Sequence, residues 1–275
     1  MWIHRYTLVP RRTLSPLAGA RPREGALLRV GDGFADIHSW PELGDAPLDE
    51  QLARLARGET TPLLFRSIAC AALDGRARAA GRSLFDGLTI PRSHWPGDDP
   101  PRDFDTVKLK SIDRIPPNVW LRLDFNARLT PEQFIYMAEA LPRDRVDFVE
   151  DPCPYDAATW SALRETTGLR LALDRGTAAD GVDVLVVKPA VQEVPSSEKE
   201  IVITSYMDHP IGQFFAAYEA ARYGRGTHGL FTHVLYEPDA FTDAIRADGA
   251  RLLPPEGTGL GFDDLLERLP WKRIA

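Results

Sequence analysis

The hydrophobic pattern changes character part-way along the chain. Residues 3–9 alternate weakly and read as a strand; 26–30 and 33–38 read as a pair joined by the turn Gly31-Asp32-Gly33. Leu48, Leu52, Leu55 and Ala56 then share one helical stripe. Residues 62–81 give a second, Ala-rich helix whose apolar face is Leu64, Ile68, Ala71 and Ala72. Beyond this point short apolar runs without polar alternation take over, as expected of strands covered on both faces. The candidate strands are 84–90, 106–110, 119–124, 146–150, 169–174, 182–188, 200–204 and 227–232, eight in all. Helices fit between some of them: one opening at Thr130-Pro131-Glu132, one over 156–167 and one over 210–223. After strands 1 and 2, and after strands 5 and 6, the connections run to only about ten residues, which leaves little room for a crossover helix. The pattern predicts an α/β fold: a TIM-like (β/α) barrel with trimmed helices over 84–238. It adds an α+β capping domain built from residues 1–83 and from a tail, 239–275, that returns to it.

Composition narrows the function classes. The chain has 275 residues, 44% hydrophobic and 27% charged, with a formal net charge of −7. An acidic chain with dispersed basic residues is not expected to bind nucleic acid. Cys70 and Cys153 make neither a disulfide framework nor a zinc site and read as small core residues. The first residues lack a signal-peptide pattern, and no run of about 18 apolar residues occurs, so a cytoplasmic protein without a membrane partner is expected. A monomer is compatible with this composition. The glycines of PPEGTGLGF are not followed by Lys-Ser/Thr and do not form a phosphate loop.

The chemistry sits at the ends of the apolar runs. LRLD ends at Asp124, DFVE at Glu150 and LRLALD at Asp174, spaced 26 and 24 residues apart. TVKLK carries Lys108 and Lys110, and VDVLVVK ends at Lys188. In a parallel barrel, strand ends of one polarity meet on one rim. Three carboxylates gathered there repel unless a cation lies among them, and an oxygen-only donor set favours a hard ion, Mg²⁺ first and Mn²⁺ as an alternative. Lys108 and Lys110, two apart, face one side of their strand, while Lys188 lies across the mouth. A metal flanked by lysines suits abstraction of a proton next to a carboxylate, with the metal holding the charge that develops as an enediolate. The partner is then a small-molecule carboxylate. A Schiff-base aldolase using Lys188 would leave the carboxylates without a role.

These residues resemble the enolase superfamily in its muconate-lactonising branch: Lys-x-Lys, then Asp, Glu and Asp, then a Lys opposite. Superfamily sites using a Lys or His base with Mg²⁺ are a known pattern. GDGFADIHSWPELGD, TSYMDHPIGQ and PPEGTGLGF further resemble segments of a dehydratase family of menaquinone biosynthesis within that branch. The resemblance implies Asp124, Glu150 and Asp174 as metal ligands, Lys110 as base, Lys108 as its electrostatic partner and Lys188 as a cation opposite. It also implies Asn126, Ser205 and Asp208 near the substrate. Where the family usually has Glu after the third ligand, this chain has Arg175. The Gly/Pro/Arg-rich loop 16–24 is expected to close over the mouth, with Arg21 and Arg23 contacting substrate. An N-acylamino-acid racemase or dipeptide epimerase of the same superfamily remains the alternative.

Overall fold

The computed structural model describes residues 1–14, 18–176 and 180–274. Its N-terminal sheet contains β1 (Trp2–Leu8), β2 (Arg23–Val30) and β3 (Gly33–Ile37), all antiparallel. Two helices follow, α1 (Leu48–Ala56) and α2 (Pro62–Ala79), the second capped by the Thr61 hydroxyl, which accepts from Leu64 N. α2 lies hard against the β2–β3 turn. A Cβ added at Gly33 would stand 1.8 Å from Ala71 O, so only glycine permits this approach.

The second unit is a parallel sheet in the order β4 (Thr106–Leu109), β5 (Trp120–Asp124), β6 (Val146–Glu150), β7 (Leu171–Asp174), β8 (Val184–Val187) and β9 (Glu200–Ile203). These are six of the eight expected strands. α3 (Pro131–Glu139) and α4 (Ala157–Thr167) cross between β5, β6 and β7. α3 starts in a capping box in which Thr130 and Gln133 satisfy each other's backbone N–H, and α4 ends at a left-handed Gly168. α5 (Pro210–Tyr223) follows β9. Among the described residues no helix joins β4 to β5, β7 to β8 or β8 to β9, so the helical ring is trimmed.

The remaining two barrel positions are held by single bridges. Trp95 pairs with Val107, Ser93 with His228, and Gly229 with Thr204, which links β9 back to β4 through 228–229 and 93–95. The expected strand at 84–90 does not form. Gly87 has φ +75°, a turn bond runs from Leu88 N to Phe85 O, and Phe85 is buried edge-on against Phe214 and Tyr218. Its apolar residues are covered by helix packing and not by strand pairing, and the first barrel position moves to 93–95.

The tail carries α6 (Ala240–Asp243), a hairpin of β10 (Ala247–Asp248) and β11 (Arg251–Leu252), α7 (Asp263–Glu267) and β12 (Lys272–Arg273). β12 pairs with β1, and fully buried Asp74 on α2 accepts from both Phe34 N and Leu260 N. One carboxylate thus joins hairpin, helix and tail.

Candidate active site

The carboxyl ends of β4 to β8 bring the chemistry to one rim. Asp124 and Glu150 are the last residues of neighbouring strands and are paired in register. Asp174 ends β7, Lys188 follows β8, and Lys108 lies in β4 with Lys110 just beyond it. The turns leaving this rim hold five non-glycine residues at positive φ: Asn126, Ala127, Asp151, Arg175 and Met207. Such conformations cost about 1–3 kcal/mol each and cluster where a site dictates the backbone.

Lys108 Nζ lies 2.7 Å from Glu150 Oε1 and 3.1 Å from Asp124 Oδ2. Lys188 Nζ lies 2.5 Å from Asp174 Oδ1. Burial alone would lower the Lys108 pKa, but Asp124, Glu150 and Asp174 outweigh it and raise it well above the ordinary value. Burial raises Asp124 as well, yet Lys108 and Lys110 draw it below the usual carboxylate range. Glu150 is raised, by burial first and then by Asp124 and Asp174 against the pull of Lys108. Lys110 differs from its neighbour: it has no ion pair among the described residues, and its pKa is lowered. Burial dominates, with Lys108 and Lys188 adding to it and Asp124 and Glu150 opposing. A lysine held in its charged form and a lysine whose charged form is disfavoured therefore sit two residues apart.

These groups open onto a cavity of about 500 Å³ between the rim and the N-terminal unit. Lys108, Lys110, Asp124, Asn126, Asp174 and Lys188 line it, whereas Glu150, held by Lys108, does not. Asn126 Nδ2 donates to Asp124 Oδ1 at 2.7 Å and orients that carboxylate. The N-terminal unit contributes Trp40, whose Nε1 donates to Tyr206 O at 2.7 Å and fastens the cap to the barrel.

Residues 1–77 match the family model "O-succinylbenzoate synthase, N-terminal domain", and residues 76–179 match "Enolase C-terminal domain-like". The chain is 34% identical to the o-succinylbenzoate synthase of Bdellovibrio bacteriovorus, over 98% of this chain and 97% of that protein. It belongs to the o-succinylbenzoate synthase family of the enolase superfamily. Solved structures sharing the fold include a dipeptide epimerase from Cytophaga hutchinsonii (13% identity, TM-score 0.75, 100% of this chain and 98% of that one). The muconate lactonizing enzyme of Pseudomonas putida is another (16%, TM-score 0.69, 97% and 98%). As in that superfamily, the chain is an enzyme acting on a small molecule. Among the described residues no helix is long and apolar enough to cross a membrane.

A divalent cation is the group this family membership suggests, and the donor chemistry fits one. Asp124, Glu150 and Asp174 are oxygen donors at adjacent strand ends, with Asp124 and Glu150 only 5% and 2% exposed, and ammonium groups lie against all three. As placed, no three His, Cys, Asp or Glu side chains among the described residues stand close enough to share an ion. Lys108 bridges two of the carboxylates and so takes the position of a counter-cation. Asp174 also faces Arg175, with Nε 3.6 Å away, and Arg175 Nη1 donates to Leu43 O at 2.8 Å. The residue that departs from the family pattern thus ties the third carboxylate to the cap.

Other expected contacts are dispersed. Ser205 lines the cavity, its hydroxyl bonded to that of Thr232. Asp208 does not line it: at 2% exposure it lies at the cap–barrel seam, beside Asp36. Asp36 accepts from Tyr6 Oη at 2.6 Å and from His209 N at 3.0 Å, and burial pushes Asp208 up to about 7. Arg21 is exposed. Arg23 is buried, 2.7 Å from Glu42 and stacked 4.6 Å above the Trp40 ring. Of the described residues of loop 16–24 only Ala18 lines the cavity, and Arg12, Thr13 and Leu14 just before the loop line it as well; Pro16 and Leu17 lie outside the described residues.

Three further polar residues surround the site. Asp151 accepts from Asp174 N at 3.1 Å, and the adjacent acids Glu150-Asp151 mark it. His94 and Arg122 are buried inside the barrel, and a basic residue within the apolar run LRLD was the available clue for the second.

Proposed function

We propose that the chain dehydrates 2-succinyl-6-hydroxy-2,4-cyclohexadiene-1-carboxylate to o-succinylbenzoate and water, as a step of menaquinone biosynthesis, with Mg²⁺ held by Asp124, Glu150 and Asp174. The observation that carries this is Lys110: half-buried, without an ion pair among the described residues, lowered in pKa, and in one cavity with the strand-end acids Asp124 and Asp174 and the opposed Lys188, with Glu150 just behind them on Lys108. When bound, Mg²⁺ neutralises the substrate carboxylate and lowers the energy of the charge that builds there. Neutral Lys110 takes the proton from C1, next to that carboxylate. The C1–H electrons form the C1=C6 bond, the C6–O bond breaks, and Lys110, now an ammonium, returns its proton to the departing hydroxyl on the same face. Water leaves and the ring becomes aromatic. Lys108 stays charged between Asp124 and Glu150 and, after burial, adds to what disfavours the protonated form of Lys110, while Lys188 lies on the opposite face.

Racemisation of an N-acylamino acid, or epimerisation of a dipeptide, would use the same cavity with Lys110 and Lys188 exchanging protons on opposite faces. The test of dehydration is direct. Purified chain with Mg²⁺ should convert the cyclohexadiene, followed by its ultraviolet absorbance, and should stop on addition of EDTA. No conversion in Mg²⁺, or undiminished conversion in EDTA, contradicts the assignment.

A further inference from the structure

On the wall facing Glu150 and Asp174 lies a group the mechanism above does not use. Following the barrel round from β4 to β9 and through the two bridged positions, 93–95 stands opposite β7 and 228–229 opposite β6. His94 is on this wall. Its backbone is fixed on both sides: His94 N donates to His228 O at 2.8 Å, and Trp95 N to Thr106 O at 2.9 Å. The ring is 5% exposed and lines the cavity.

The imidazole has one possible tautomer. Nδ1 lies 3.2 Å from Arg122 Nη1. A guanidinium carries only donors and keeps its charge, so Nδ1 must accept and the ring proton must be on Nε2. Arg122 cannot turn away, since it also donates to Asp147 Oδ2 and to Thr227 O, both at 2.8 Å, and stacks 4.8 Å from the Phe148 ring. Burial and the charges of Arg122 and Lys108 keep the ring neutral. The Nε2–H has no protein partner among the described residues, and unlike Nε2 of His38 and His228 it is not enclosed. Gly229 leaves it open: a Cβ there would meet His94 Nε2 at 2.8 Å and Thr204 Cγ2 at 2.7 Å. Beside it the buried Thr204 Oγ1 also lacks a partner.

We propose that His94, as a fixed neutral donor through Nε2–H, takes the ketone oxygen of the substrate's succinyl arm and selects for a carbonyl at that position. The inference rests on the dehydratase function. The pose this requires places the ring carboxylate at the acidic rim and the ketone on the adjacent ring carbon within reach of the His94 wall of the same cavity. Here the donors facing it, His94 and Thr204, are neutral, which suits an uncharged carbonyl. A site built to donate to a carbonyl rejects the analogue that lacks one, because the donor is then left buried and unpaired.

The test uses the Mg²⁺-loaded enzyme and two ligands, o-succinylbenzoate and 2-(3-carboxypropyl)benzoate, in which a methylene replaces the ketone. Dissociation constants are measured by calorimetry for the parent, His94→Phe and His94→Gln. The parent should prefer the ketone by about tenfold to a hundredfold. His94→Phe should bind both ligands alike, and His94→Gln, which keeps a neutral donor, should recover part of the preference. The ratio is taken within each variant, so a partly unfolded fraction cancels. An unchanged preference in His94→Phe, or none in the parent, overturns the His94 assignment alone. A parent that neither binds o-succinylbenzoate nor dehydrates the cyclohexadiene overturns the function on which it rests.

Discussion

Lys110→Ala should lower kcat/KM for the cyclohexadiene by at least about 10²–10⁴-fold, the usual contribution of a general base, and by more because the same amine also serves as the acid. The fold should be unaffected, because Lys110 makes no ion pair whose loss would leave a buried carboxylate unpaired. Circular dichroism and the denaturant midpoint check this. The pH profile gives the same residue a second signature. A base must be deprotonated to act, so kcat/KM of the parent should rise with pH as Lys110 loses its proton. Burial, Lys108 and Lys188 lower its pKa from the ordinary 10.5, so this limb should lie below 10.5, and Lys110→Ala should abolish it. Removing Lys108 should shift the limb upward, since one of the charges that repels the proton is gone. Substantial turnover in Lys110→Ala, or a limb indifferent to both substitutions, would be incompatible with Lys110 as the base.

Glu150→Gln should be nearly as damaging, by a different route. The change keeps shape and removes one negative charge from the shared acidic rim. The proposed cation would then be held by fewer charged donors, and Lys108 would lose its 2.7 Å charged partner. Substitution of residues that merely support metal ligands commonly costs 10–100-fold, so loss of a ligand itself should cost at least about a hundredfold. Titration with Mg²⁺ separates the causes. The concentration for half-maximal residual activity should rise in Glu150→Gln and in the companion changes Asp124→Asn and Asp174→Asn. Removing one partner of a buried pair also destabilises, typically by about 3–5 kcal/mol, so the denaturant midpoint should fall when Mg²⁺ is absent. Turnover of Glu150→Gln at parental rate and parental Mg²⁺ concentration would remove Glu150 from the proposed ligand set.

Much of this is legible along the chain because a parallel barrel writes its strands as unbroken apolar runs and ends them at one rim. LRLD, DFVE, LALD and VLVVK carry both the strand and the chemical group that the strand delivers. What was misread has physical reasons. Leu84, Phe85, Leu88 and Ile90 are as apolar as any strand, yet the αL turn at Gly87 breaks the run, Phe85 is buried against Phe214, and the one backbone bond to a neighbour among the described residues, Leu84 N to Gly259 O, runs to the tail and not to the barrel. The bridged position at 228–229 falls within the expected run 227–232, whereas the one at 93–95 depends on bridges to 107 and 228 that no local pattern encodes. Asp208 follows β9 as a rim residue should, but the chain turns into α5 there and carries it to the seam beside Asp36. A side chain at Gly212 would strike both carboxylates. Arg23 is anchored by Glu42, 19 residues on, while Arg12, eleven residues before it and not singled out, lines the cavity. His94 needed Arg122 and Gly229 in place before its open N–H had meaning.

A comparison of two arginine substitutions in D₂O tests the one-base dehydration most directly. Arginine keeps the charge of lysine but does not exchange its proton. Lys110→Arg and Lys188→Arg, each shown to be folded and to bind Mg²⁺, are assayed for cyclohexadiene turnover and for α-proton exchange of an N-acylamino acid. If Lys110 alone moves protons and Lys188 acts as a charge, Lys188→Arg retains far more dehydration than Lys110→Arg, while two-face exchange is lost in both. A Lys188→Arg enzyme as inactive on the cyclohexadiene as Lys110→Arg would contradict it.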